Sequence, residues 1–215
     1  MFLNEKRCRG LSGHDALGFR GTGVRCRNES HAGVRRQFVR RLHAQTQRSL
    51  PGFTCKKLRA AGLNFSVTNA SASGGTTDGG LERLPPHLKH RIDILILELG
   101  INDAFRGVPI DQIRNNLQEI IDKVKARSPN ARVVIAGIQL PGYAADDYVS
   151  AFGQMFVDLA AKNRAALVPY LLETVAGNPS LNLADGIHPN AAGQKILAEN
   201  VWRVLEPVAR EVAKL

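Results

Sequence analysis

The pattern of apolar and polar positions changes character near residue 57. Over the first 57 residues glycine and arginine alternate, and no apolar period of 2 or 3.6 holds for long. Irregular structure is therefore predicted across roughly residues 1–55. Beyond that point the periods are clear. Residues 64–69 predict a short strand that runs into a small-residue loop, 70–75. Residues 77–90 predict a helix interrupted by Pro85 and Pro86. The run IDILILEL at 92–99 is continuously apolar apart from its acids, as in a strand buried on both faces. Residues 109–127 place Ile110, Ile113, Leu117, Ile120, Ile121 and Val124 at helical spacing, with Pro109 suited to the first turn. RVVIAGI at 132–138 predicts a second buried strand, 148–162 a helix and 166–170 a short strand. A closing helix over 190–213 is expected to break or bend near Pro207. Strand alternating with helix predicts a parallel α/β fold, in which ligands sit at the carboxyl ends of the strands.

Charge sharpens the division. The chain of 215 residues carries a formal net charge of +10. Residues 1–57 hold 13 Lys+Arg against 3 Asp+Glu, so the whole excess lies there, while the remaining 16 and 16 cancel. Two regions follow: an anomalous basic segment, 1–57, and a domain, 58–215, long enough for a full core. The basic segment alone would suggest a disordered tail that touches nucleic acid or anionic lipid. It has neither the interleaved aromatics nor a groove-reading motif that would support such a role, and no nucleic-acid partner is expected. Cys8, Cys26 and Cys55 have no metal-ligand spacing, so no metal is expected. No run of 18 apolar residues exists, and no membrane-spanning segment is expected.

Three short blocks fall at the predicted strand ends. The first is Asn69-Ala70-Ser71-Ala72-Ser73-Gly74-Gly75, where Gly74 lets a backbone N–H approach a substrate without a Cβ in the way. The second is Gly100-Ile101-Asn102-Asp103, where the Asn102 amide could serve as an oxyanion donor. The third is Asp185-Gly186-Ile187-His188-Pro189. An Asp three residues before a His can fix the imidazole tautomer and support an imidazolium. Taken singly, each block also reads as a turn, a small-residue loop or a helix cap.

Together, in this order and strand context, the blocks resemble the SGNH (GDSL) hydrolases, and among them the bacterial thioesterase I, lysophospholipase and arylesterase group. NASASGGTTDGGLERLP at 69–85, LELGINDAFRG at 97–107 and QLPGYAADDY at 139–148 carry the likeness, which extends from about residue 57 to 205. The resemblance implies a flavodoxin-like three-layer αβα sandwich with a parallel sheet. It implies a cofactor-free Ser-His-Asp hydrolase of a small acyl ester or thioester. Asp185 and His188 would be catalytic, and Gly74 and Asn102 would form the oxyanion hole. The loop at 140–147 would shape the acyl pocket. The family's first, central strand normally ends in Gly-Asp-Ser-Leu, whose Ser is the nucleophile. That motif is absent from this chain, so the first strand is doubtful.

The genetic code permits one explanation. Arg35-Arg36-Gln37-Phe38-Val39 can be written in codons that, shifted by one nucleotide, encode Gly-Asp-Ser-Leu. The same shift over residues 30–44 permits ATLAFGDSLSAGYTL, and over 17–26 it permits SAFAAPAFAA, similar to the end of a secretory signal. In that frame the enzyme would be periplasmic or secreted; as written, the chain reads as cytoplasmic and low in activity. A non-catalytic acyl-binding protein is the alternative expectation.

Overall fold

The computed structural model describes residues 1–5, 49–140 and 146–214. The shifted-frame segment around Arg35–Val39, with Cys8 and Cys26, lies outside the described residues, as do positions 141–145 of the proposed pocket loop.

Five strands form one sheet in the order β2-β1-β3-β4-β5. They are β1 (Phe2–Glu5), β2 (Phe65–Thr68), β3 (Ile94–Leu97), β4 (Arg132–Ala136) and β5 (Ala166–Val168). β3, β4 and β5 pair in parallel, as the apolar runs predict. All four residues of β3 are buried, and their side chains divide by alternation. Ile94 and Ile96 join the core on one face, Leu95 and Leu97 the core on the other.

The helices cover both faces. On one side lie α2 (Thr77–Arg83), α4 (Ile110–Arg127) and α5 (Asp146–Asn163), with Ile113, Leu117, Ile121, Phe152 and Phe156 packed on the sheet. On the other lie α1 (Leu50–Ala60) and α6 (Ala191–Val212), which contribute Leu58, Val201, Leu205 and Ala209. The result is the three-layer αβα arrangement. α6 runs through Pro207 without a break, where a break or bend was expected. Pro207 lies on the exposed side of the helix. There, water can satisfy the carbonyl that loses its partner.

Three expectations are corrected. First, Phe2–Glu5 is a strand and Leu50–Ala60 a helix, so residues 1–55 are not uniformly irregular. The helix runs across position 57. Second, the sheet is mixed, because β1 is antiparallel to both neighbours. Leu3 faces Val67 of β2 and Ile94 of β3. Phe2 enters one core and Leu3 the other, which is what a strand between two others must do. Third, Ile101–Phe105, over which no helix was expected, forms a one-turn helix, α3.

Candidate active site

The first two blocks meet after β2 and β3. Gly100, in the buried turn after β3, has φ of +118°, a conformation reserved for glycine. Its bend starts α3, which carries Asn102 and Asp103. Asn102 Nδ2 donates to the Gly75 carbonyl at 3.0 Å. Arg106 Nη2 donates to the Gly74 carbonyl at 3.2 Å. Asp103 is buried, and its carboxylate accepts from the Thr77 N–H at 2.9 Å and from the Thr77 hydroxyl at 2.5 Å. Asn116 in turn donates to the Thr77 hydroxyl oxygen at 3.0 Å. These bonds lock the Gly74 loop to α3. Gly74 itself has φ of +67° and an open Cβ direction, with only an Arg106 nitrogen 4.0 Å away. Its need for glycine is thus conformational, and the space beside it is open.

The third block is a rigid turn. Leu183 N–H donates to the His188 carbonyl at 2.7 Å, and Asn182 bridges Pro189. Asn182 Nδ2 donates to the carbonyls of Val175 and Asn178. Asn190 donates to the carbonyls of Ser180 and Asn182, while its Oδ1 caps α6 through the N–H groups of Ala192 and Gly193. Gly193 allows the helix to touch this turn: a Cβ there would lie 2.2 Å from the Leu181 carbonyl oxygen. Within the turn, Asp185 Oδ2 meets His188 Nδ1 at 2.9 Å. Asp185 Oδ1 accepts from the N–H groups of Ile187 and His188, both at 2.9 Å. The His188 and Ile187 N–H groups, followed by the imidazole, hold the Asp185 carboxyl down at about 2. Because a carboxylate only accepts, the Nδ1 that meets it carries a hydrogen.

Asn102 and Gly75 line a cavity of about 330 Å³, together with Met1, Arg83, Leu84 and Glu98. Asp185 and His188 are not among its walls. Among the described residues, no hydrogen bond or ion pair joins the third block to the other two. Around the cavity, burial lowers the Met1 amino group to about 6, with Glu98 acting against the shift. Burial likewise raises the Glu98 carboxyl and lowers His87. Met1 N donates to the Ile96 carbonyl at 2.8 Å, so the start of β1 occupies the sheet's carboxyl end.

Asp103, Asn182 and Asn190 were not singled out in the sequence as site residues. The signal for Asn190 was present: a helix-capping Asn directly after His-Pro. Asp103 reads as an ordinary turn former, because its partner is 26 residues away, and the carbonyl that Asn182 bonds is 7 residues away. Among the described residues, no cluster of His, Cys, Asp and Glu could hold a metal ion. No helix among them is long and apolar enough to cross a membrane.

The family model for the GDSL-like lipase/acylhydrolase family matches residues 17–196. Esterase TesA of Pseudomonas aeruginosa is 42% identical over 154 residues, 71% of this chain and 76% of that protein. The thioesterase 1/protease 1/lysophospholipase L1 of Escherichia coli is 38% identical over 144 residues, 66% of this chain and 68% of that protein. The crystal structure of TesA superposes with a TM-score of 0.71 at 40% identity, covering 76% of this chain and 90% of that one. The chain belongs to the GDSL-like lipase/acylhydrolase family, the SGNH-type hydrolases of carboxylic esters and thioesters.

Proposed function

We propose that Asp185 and His188 are the base pair of a serine ester or thioester hydrolase whose nucleophile is encoded in a shifted frame within residues 1–57. The observation that carries the reading is the Asp185–His188 bond at 2.9 Å, with the second carboxylate oxygen held by two backbone N–H groups. In the complete enzyme, His188 Nε2 takes the proton of the serine hydroxyl as its oxygen attacks the acyl carbonyl. The Gly74 N–H and the second Asn102 amide hydrogen stabilise the oxyanion. His188 then protonates the leaving alcohol or thiol, and water releases the acid. The substrate is a small acyl ester or thioester, and the enzyme is periplasmic or secreted. The chain as written keeps the oxyanion donors and the base pair but has no serine for them to serve.

The test has two steps. The coding DNA is sequenced across codons 5–60, and the gene with Gly-Asp-Ser-Leu in frame is expressed beside the gene as written. The restored protein should hydrolyse p-nitrophenyl esters faster by a factor on the order of 10⁵ or more, and His188→Ala should abolish that gain. A restored protein no faster than the chain as written, or one indifferent to His188→Ala, would remove the assignment.

A further inference from the structure

β1 fills the slot between β2 and β3, and it is poorly suited to that place. Among the described strands, β2, β3, β4 and β5 run one way and β1 runs against them. Its register with β3 takes in Phe2 and Leu3, and Met1 adds two bonds to Ile96. β4, by contrast, matches the whole of β3 from Ile94 to Leu97. Phe2 enters one core and Leu3 the other, so two buried side chains carry most of the packing of β1. The next residue works against it: Asn4 Oδ1 is buried and has no hydrogen-bond partner among the described residues. Such an orphaned acceptor destabilises the docked strand, and water would satisfy it if the strand left. Residues 6–48 join β1 to α1, so no tight hairpin ties it to either neighbour. Beneath it lie two ladders, on β2 and β3, and buried Val67, Ile94, Leu95 and Ile96.

We propose that the β1 slot is a strand-exchange site, which opens by release of Phe2–Glu5 and accepts an extended apolar peptide from outside the chain, aligned parallel to β3. Strand addition draws affinity from main-chain bonds and specificity from alternate side chains. The slot offers both: a ladder on each side, and a separate apolar core for each side-chain direction. Parallel entry gives the entrant the direction of the four other strands. It also carries the entrant's carboxyl end to the edge where Gly100 and Asn102 stand. Release of β1 clears that edge, because Met1 leaves the cavity it shares with Asn102. ATLAFGDSLSAGYTL, the shifted-frame reading of residues 30–44, has the required form: an apolar run for the slot and a small polar segment for the edge. The choice of this peptide rests on the shifted-frame reading; the exchange itself does not.

The test titrates the full chain into dye-labelled ATLAFGDSLSAGYTL and follows fluorescence anisotropy. The peptide should bind saturably, and a scrambled peptide should not. Only open slots bind, so the affinity scales with the open fraction. Leu3→Ala weakens β1 and should therefore tighten peptide binding by about tenfold or more. Asn4→Val removes the orphaned acceptor, steadies β1 and should weaken binding about fivefold. Opposite signs from two neighbouring residues are not what general destabilisation produces, and either variant serves if the other fails to fold. A nitroxide at the peptide's amino end should broaden the amide signals of Ile92 and Asp93 more than those of Gly100 and Asn102. Absence of saturable binding overturns the proposal. So does equal binding of the scrambled peptide, or an affinity that Leu3→Ala lowers or leaves unchanged. The reverse broadening pattern overturns the parallel alignment. Hydrolysis of p-nitrophenyl acetate that appears with the bound peptide, and not when its Gly-Asp-Ser serine is replaced by alanine, would support the exchange and the serine reading together. Saturable binding without hydrolysis upholds the exchange and counts against the serine reading alone.

Discussion

β1 and β3 are neighbours in the sheet and solve different problems. Both put apolar side chains on both faces, and both are buried: Leu3 and Ile94 are each 0% exposed. β3 runs parallel to β4 and β5, so its end opens into Gly100, Asn102 and Asp103 at the edge where ligands bind. β1 runs the other way, and the same edge receives its beginning, the Met1 amino group. A slot in a sheet can thus be filled by any short segment with two oppositely directed apolar side chains and a free ladder. Delivering a functional group to one edge requires a particular strand direction as well. The N-terminal segment meets the first demand and not the second.

The comparison can be broken most forcefully at Leu3. Leu3→Ala and Leu95→Ala should each cost about 2–5 kcal/mol, read as a fall in the urea midpoint. A cost below about 1 kcal/mol at Leu3, with Leu95 in the expected range, would show that β1 is not a full member of the sheet. Next comes the joint between the first two blocks. Asp103→Ala leaves the Thr77 N–H and hydroxyl without their acceptor and should cost about 2–4 kcal/mol. Asp103→Asn, which keeps an acceptor, should cost less. Gly193→Ala tests the third block. Its Cβ would force the Leu181 carbonyl aside, at about 1–3 kcal/mol, with amide shift changes concentrated at residues 181–190 in NMR spectra.

The smallest effect concerns Asp185. Its carboxyl should titrate near 2 by carboxyl-carbon NMR. Since the folded value lies below the ordinary one, its stabilising contribution is present above the ordinary carboxylate range and fades as pH falls through about 2. His188→Ala preserves the two backbone N–H donors, which are the leading causes of the shift. That variant should therefore move the value only part of the way back. A full return to about 3.8 would transfer the main role to the imidazole.

Much of this was legible in the residues. β3, β4 and α4 follow from local apolar periods, and Ile113, Leu117, Ile120, Ile121 and Val124 are buried as their spacing requires. The Asp185–His188 pair was legible because its partners are three residues apart. β1 was not, because Phe-Leu-Asn-Glu carries no period of its own and becomes a strand only through partners 60 or more residues away. α3 was hidden for a related reason: Gly-Ile-Asn-Asp has turn composition, and the buried Asp103 network that holds the helix is formed with Thr77 and Asn116. The reversal of β1 has no local signature at all, since apolar alternation reads the same in both directions.

The antiparallel seam at β1 also sets a schedule. Leu3 must find Ile94, and the two lie 91 residues apart in the chain. At ribosomal speeds of about 5–20 residues per second, the tetrapeptide waits roughly 5–20 s after it is made before β3 exists to receive it. Until then Phe2 and Leu3 have no core to enter, and once β2 and β3 emerge, their facing edges are open to any passing strand. β1 is therefore secured only once β3 has emerged, and the interval before it docks leaves the edges of β2 and β3 open to capture by other chains.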